Sequence, residues 1–407
     1  MKMKIIAVFL LLIAVWLLGL SVGRGNAQAV KEVKVGFIEP ITGPLAQDGL
    51  INMKAYQMAV DEINAAGGIK SLGGAQIKVL AGDSTGKPEV GMGEAERLMR
   101  DGAVVLIGAY QSSVTYTTTQ VAEKNKTPYI CSIASANSIA RRGFKYLIKN
   151  SPDLDDYDST FVEFIVQMNR KMTKKVKTIA VLYEDTLHGK EESSTIIRNA
   201  KLQNLEVVAT IAYPHATSDL TSEISKVKAS KADGVLASTY ISDAILLTKT
   251  MEKLRYNPIC YFSLAGAANP QYAKSLGPLA EGTWTNAEWN HLLKKKGVRE
   301  LNERFKRYAG VNMDGFRAEN YTAVYILKDA LERAASLDKE KIMEALRKTN
   351  MTDHYMPYER IVFDERGKNP NVKVLVVEVR KGEYFPIYPF DYAAGEPTWP
   401  FVPWEKR

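Results

Sequence analysis

The chain has 407 residues, of which 46% are hydrophobic and 25% are charged, and its formal net charge is +8 at pH 7. This composition excludes a disordered, collagen-like or coiled-coil protein. Two cysteines exclude a disulfide-stapled scaffold and a four-cysteine metal site. Because a domain usually spans about 100 to 200 residues, we expect two or three domains.

The first residues predict a signal peptide. A basic start is followed by an apolar run over residues 5–20 and by an Ala-x-Ala pattern that ends at Ala29. This order is typical of a secretory signal peptide over residues 1–29, cleaved after Ala29. An uncleaved membrane anchor is the alternative, since the apolar run is almost long enough to cross a bilayer. We expect an exported protein.

Strands and helices alternate along the first part of the mature chain. Strands are predicted where β-branched residues alternate, and helices where apolar residues recur every three or four positions. In chain order they are strand 33–38, helix 48–64, strand 76–81, helix 89–100, strand 104–107, helix 113–125 and strand 129–132. This alternation predicts a parallel sheet with helices on both faces.

A second series of the same kind begins after Pro152. Its predicted elements are helix 156–170, strand 178–183, helix 190–203, strand 206–211, helix 220–229, strand 234–238, helix 243–254 and strand 259–262. Helices 298–308, 318–335 and 339–348, strands 360–363 and 372–379, and an extended tail over residues 391–407 follow. The last helical block is too small for a third domain, so we expect it to complete one of two α/β lobes.

We assign the last helical block to the first lobe, which divides the chain between the two lobes as follows. Residues 30–150 and 283–355 form the predicted N-terminal lobe. Residues 151–282 and 356–407 form the predicted C-terminal lobe and tail. The chain therefore crosses between the lobes several times.

The loops that follow the strands are candidate ligand sites, because ligands of open α/β sheets bind beyond the carboxyl ends of the strands. The loop over residues 108–115 enters a helix at Ser112 and Ser113, where free backbone N–H groups and hydroxyls favour a carboxylate. Ordinary serine capping is the alternative. Small polar residues follow the next strand over 131–138, and a loop of similar design, 237–243, follows a strand of the second lobe.

Three motifs in order carry a resemblance to a known family. They are Thr-Gly-Pro-Leu-Ala over residues 42–46, Asn-Ala-Ala-Gly-Gly-Ile over 64–69, and Gly108 followed by the serine pair at 112–113. The chain resembles the branched-chain amino acid (Leu/Ile/Val-type) binding proteins of ABC importers, which are type I periplasmic binding proteins. The likeness covers residues 33–379. It implies two Rossmann-like lobes, joined by three crossing segments, that close on a ligand like a Venus flytrap.

The resemblance also implies roles for particular residues. Ser112 matches the serine that binds the ligand carboxylate, and Ala134 and Ser135 match the loop that completes that site. The wall from the second lobe and the side-chain pocket would come from Tyr240, His188 and Phe316. The implied partners are a small carboxylate-bearing ligand and membrane permease subunits, with no cofactor, metal or nucleic acid, and we expect a non-catalytic monomer in the periplasm.

One position departs from the family pattern. Amino acid binders of this family carry an acid after a strand of the second lobe, where it pairs with the ligand ammonium, and this chain has Ala265 there. A buried ammonium without a counter-charge is costly. Either Asp48, Asp243 or Glu288 supplies the charge, or the ligand lacks an amine. We favour an aromatic or aliphatic acid, with an amino acid or amide as the alternative.

Two other functions remain as alternatives. The same two-lobed protein would also serve as a ligand sensor for a receptor or regulator, because only the docking partner differs. The pattern Gly-Asp-Ser-Thr-Gly over residues 82–86 matches the nucleophile elbow of α/β-hydrolases, which makes Ser84 a remote candidate nucleophile of a secreted hydrolase.

Overall fold

The computed structural model describes residues 30–407. The expected signal peptide over residues 1–29 and its cleavage site after Ala29 lie outside the described residues. Within residues 30–407, no helix combines the length and the apolar character that crossing a membrane requires.

The first sheet contains five parallel strands. They are β1 (Glu32–Glu39), β2 (Gln76–Asp83), β3 (Val105–Gly108), β4 (Tyr129–Cys131) and β5 (Leu147–Lys149), in the spatial order β2-β1-β3-β4-β5. The intervening helices are α1 (Ala46–Ala65), α2 (Pro88–Arg100), α3 (Ser112–Lys124) and α4 (Asn137–Ala140). Strand-helix alternation thus gives the parallel sheet that the sequence predicts.

The second sheet contains seven strands. They are β6 (Thr178–Glu184), β7 (Glu206–Tyr213), β8 (Gly234–Thr239), β9 (Cys260–Ala265), β10 (Trp284–Ala287), β11 (Leu375–Arg380) and β12 (Glu383–Tyr388), in the order β12-β11-β10-β9-β8-β6-β7. Its helices are α5 (Leu154–Lys171), α6 (Leu187–Leu202), α7 (Thr221–Ala229), α8 (Ile241–Lys253) and α9 (Pro270–Leu276). Neighbouring strands run parallel except at β11, which is antiparallel to both β10 and β12.

A block of three helices returns to the first sheet. These helices are α10 (Val298–Ala309), α11 (Gly315–Ala334) and α12 (Lys339–Arg347). Leu301, Leu327 and Ile342 from these helices share a buried core with Val35 of β1. The chain therefore crosses between the lobes after β5, after β10 and again before β11, which gives the three predicted crossing segments.

Strand β1 serves two cores because its side chains alternate. Val33, Val35 and Phe37 face the core shared with α1 and α11, whereas Ile38 belongs to the core under α2 and α3. Gly36 has no room for a side chain, since a Cβ there would lie 2.6 Å from Leu106 Cδ2. The sheet is thus buried on both faces, as a parallel sheet requires.

The second lobe is built in the same way, with the tail added. Ile179 of β6 packs in the core that contains α5, and the adjacent Ala180 packs in the core that contains α7 and α8. Phe401 and Trp404 from the tail fill that second core. The expected strap is therefore part of the packing of this lobe.

The structure corrects two details of the prediction. The boundary before residue 283 placed β10 in the first lobe, but β10 lies in the second sheet, where it pairs with β9 and β11. The strand expected over residues 360–363 is reduced to one bridge between Ile361 and Met351. The short elements β5, α4 and α9 were not predicted, because so few residues carry little periodic signal.

Candidate functional site

The carboxyl ends of the two sheets enclose a cavity between the lobes. Its volume is about 30 Å³, which holds about two water molecules. It is lined by Tyr110, Ser112, Ile133, Ser135, Tyr157, His188, Glu192, Tyr240, Ala265, Asn286 and Phe316. A larger organic ligand therefore requires the lobes to separate or their side chains to move.

Several larger spaces lie elsewhere, including the following two. A cavity of about 220 Å³ at the crossing segments shares Asn286 and Phe316 with the small cavity. An open groove of about 850 Å³ lies beside residues 292–295 and 391–394. The small cavity is the candidate site because it alone among these three is lined by strand-end loops from both sheets.

The wall from the first lobe offers hydrogen-bond donors. Ser112 begins α3, and the first hydrogen bond of that helix runs from Thr115 N to Gln111 O. The N–H groups that come before Thr115 in the first turn therefore have no acceptor within the helix. Ser112 Oγ accepts a bond from Ala136 N at 3.2 Å, which leaves the hydroxyl hydrogen available to a ligand. Ser135 lines the same wall. This set of donors suits a carboxylate.

The wall from the second lobe carries a charged histidine. His188 Nδ1 lies 3.2 Å from Glu184 Oε1, 3.1 Å from Ser238 Oγ and 3.7 Å from Glu192 Oε2. Burial disfavours the imidazolium, but the charges of Glu192 and Glu184 outweigh burial and raise the pKa of His188 to about 9. His188 is therefore protonated at neutral pH.

Glu192 lies one helical turn after His188 and also faces the cavity. Its side chain is buried, and its Oε2 atom has no hydrogen-bond partner. Burial raises the pKa of the Glu192 carboxyl above its ordinary value. Asp158 on α5 is close enough for the charge of Glu192 to raise its pKa further, beyond the effect of burial. The second-lobe wall thus concentrates acidic groups.

Aromatic side chains close the cavity. The ring of Tyr110 from the first lobe meets the ring of Tyr240 from the second lobe edge to face, with centroids 5.8 Å apart. Tyr110 also contacts Phe316 at 6.1 Å. Leu45 and Ile133 belong to the same buried apolar cluster. The apolar part of a ligand would lie against this cluster.

Comparison with known proteins identifies the family. A family model described as "Periplasmic binding protein" matches residues 32–383. The chain belongs to this family. The resemblance drawn from the order of the motifs and the two-lobed type I fold are both confirmed.

Relatives of this periplasmic binding protein span nearly its whole length. It is 26% identical to Leu/Ile/Val-binding protein homolog 8 of Brucella abortus over 373 residues, which cover 89% of this chain and 91% of the relative. It is also 26% identical to homolog 7 of the same organism over 400 residues, which cover 93% of this chain and 98% of the relative.

Solved structures share the fold. A leucine-binding protein, LivK, from Thermotoga maritima superposes with a TM-score of 0.77 at 20% identity, covering 87% of this chain and 97% of LivK. LivJ of Streptococcus pneumoniae, solved in complex with isoleucine, superposes with a TM-score of 0.77 at 19% identity, covering 87% of this chain and 98% of LivJ.

The structure brings together most of the residues predicted for the site. The cavity of this periplasmic binding protein is lined by Ser112, Ser135, His188, Tyr240 and Phe316. Ser113 and Ala134 are the neighbours of lining residues and do not themselves line the cavity.

The three acids considered as ammonium partners have other contacts. Asp48 accepts bonds from Arg317 and Asn269 and does not line the cavity. Asp243 Oδ2 lies 3.1 Å from the Nδ1 atom of His215. Glu288 accepts bonds from Tyr157 and Asn286 and lines the larger neighbouring cavity.

Sequence reasoning missed several lining residues. Tyr110 and Glu192 could have been found, since Tyr110 lies in the predicted loop and Glu192 follows His188 by four positions on a helix. Tyr157 and Asn286 come from α5 and β10, and only the tertiary structure brings them to the cavity.

The remote catalytic alternative finds no supporting contact. Ser84 is buried, and its Oγ atom accepts a bond from Gly86 N at 3.3 Å. No histidine hydrogen bond among residues 30–407 involves Ser84. A search of the same residues found no group of three or more His, Cys, Asp or Glu side chains arranged to hold a metal ion.

Proposed function

We propose that this periplasmic binding protein is the exported substrate-binding subunit of an ABC importer and binds a small carboxylate-bearing molecule between its lobes. One observation carries the proposal. Ser112, the first residue of α3, lines the same cavity as Tyr240 and His188 of the other lobe. The names of the relatives and the isoleucine held by LivJ support an amino acid among the candidates.

Contact with both lobes explains how binding would drive closure. A ligand held by Ser112 on one side and by Tyr240 on the other binds the closed protein better than the open one. Binding therefore shifts the population towards the closed form. Permease subunits would then recognise the closed form by the relative position of the lobes.

The ligand class is tested by a thermal-shift screen followed by titration calorimetry. The panel contains the proteinogenic amino acids, their deaminated acids and small amides. We expect at least one compound to raise the melting temperature and to reduce the radius of gyration measured by small-angle X-ray scattering. A panel without any binder, or a binder that leaves the radius of gyration unchanged, would contradict the proposal.

Export and transport are tested in cells. The expected mature protein begins at Val30, is monomeric by light scattering and is recovered from the periplasm. Cells that lack it should lose uptake of the radiolabelled ligand. Normal uptake without the protein would instead favour a sensor.

A further inference from the structure

Glu192 presents to the cavity a carboxylate oxygen that accepts no hydrogen bond and lies 3.7 Å from His188 Nδ1. The residue is 2% exposed, and its Oε2 atom has no hydrogen-bond partner. It lines the same cavity as Ser112 and Ser135, which belong to the opposite lobe. Burying such an oxygen without a hydrogen bond costs free energy, which a bound donor would recover.

Acids outnumber cations on this wall. The ion pairs of Glu184 and Glu192 within the described chain both involve His188. Glu184 is otherwise satisfied, because its Oε2 atom accepts a bond from Thr186 N at 2.7 Å. One imidazolium therefore faces more than one carboxyl group, and the wall favours a further positive charge.

We infer that Glu192, on helix α6, receives the cationic nitrogen of the ligand and thereby selects an amine-bearing carboxylate over its amine-free counterpart. The inference rests on the proposed function, in which the first-lobe donors hold the carboxylate. Glu192 would supply the negative charge that pairs with the ligand ammonium, since Ala265, which also lines the cavity, carries no charge. Glu192 is none of the three acids that the sequence offered for this role, Asp48, Asp243 and Glu288, and its position at the cavity favours an amine-bearing ligand over an amine-free acid.

The wild-type protein provides the first test. Each amino acid that binds is compared by calorimetry with its deaminated acid, for example leucine with 4-methylpentanoic acid. We expect the amine-bearing compound to bind about 10- to 100-fold more tightly, as a charge-assisted hydrogen bond implies. Equal affinity for the two compounds would overturn the role of Glu192 while leaving the proposed function standing. Absence of binding to either class would overturn both.

A variant provides the second test. Glu192→Gln should lose most of the preference for the amine-bearing compound and keep its affinity for the deaminated acid. The matched control is Glu206→Gln, an exposed position on β7 of the same lobe. Unchanged preference in Glu192→Gln would refute the inference. If this variant fails to fold, Glu192→Asp keeps the charge on a shorter side chain. We then expect weaker binding of the amine-bearing compound and a smaller preference over the deaminated acid, whereas no change in either affinity would refute the inference.

Discussion

Asn269 Nδ2 donates a hydrogen bond to Asp48 Oδ1 at 2.5 Å, and this bond joins the two lobes. Asp48 lies on α1 of the first lobe, and Asn269 precedes α9 of the second. Both side chains are buried. Arg317 Nη2 donates a bond to the same Asp48 oxygen at 2.9 Å. Asp48 is thus bonded both to Arg317 of its own lobe and to Asn269 of the other lobe.

Asn269→Asp should weaken this hydrogen bond between the lobes. An aspartate can still accept the bond from Gln271 N that caps α9, but it repels Asp48. We expect the closed form to lose about 1.5 to 3 kcal/mol and the ligand to bind about 10- to 100-fold more weakly. Calorimetry and small-angle scattering measure the two effects. Asn204→Asp, at an exposed position, is the control. Unchanged affinity and radius of gyration would show that the bond does not stabilise closure.

Ser112→Ala and Ser113→Ala should differ, although the two serines are adjacent in sequence. Ser112 lines the cavity and Ser113 does not. Loss of the Ser112 hydroxyl leaves a buried ligand oxygen without a donor, at a cost of about 1 to 3 kcal/mol. Titration of both variants with the same ligand measures the difference. Equal losses in the two variants would place the carboxylate elsewhere on the helix terminus.

His188 should make the stability depend on pH. Burial opposes its charge, yet Glu192 and Glu184 raise its folded pKa to about 9, against an ordinary value of 6.5. A raised histidine pKa contributes stability that is complete below about pH 6.5 and is lost as the pH rises through about 9. The free energy of unfolding should therefore fall over this window, by roughly 3 kcal/mol at most.

Denaturant unfolding at a series of pH values measures this decline. It should be shallower in His188→Gln. A residual slope should persist up to about pH 8, because burial raises the pKa of Glu39 to about 8 and this acid acts in the same direction. His291→Gln is the control, since burial lowers the pKa of His291. Identical slopes in His188→Gln and the wild type would remove His188 as the source.

Trp404 should anchor the tail. Its ring meets Phe401 at 5.3 Å, and its Nε1 donates to Tyr256 O at 2.6 Å. Trp404→Ala removes this packing and leaves the carbonyl unpaired, so we expect a loss of about 3 kcal/mol in the free energy of unfolding. Lys406→Ala, which is exposed, should change little. An unchanged denaturation midpoint in Trp404→Ala would show that the tail does not stabilise the lobe.

Local patterns account for the parts of the protein that were predicted well. Successive side chains of a strand point to opposite faces of the sheet, so the apolar residues of β1 at alternate positions predict a strand from the sequence alone. Loops at the carboxyl ends of strands are found from the strands themselves, so Ser112, Ser135 and Tyr240 could be placed near a ligand before any contact was known. Such features depend on neighbours a few positions apart.

Contacts between distant segments were decided by the tertiary structure alone. The four residues of β10 carry no mark of the sheet they join, because pairing with β9 and β11 depends on where those strands lie. Asp48 and Asn269 are 221 positions apart, and the acid facing the cavity is Glu192 rather than any of the three that were considered. Periodicity shows which side of an element is buried, but not which distant element covers it. That choice depends on packing and charge summed over the whole fold.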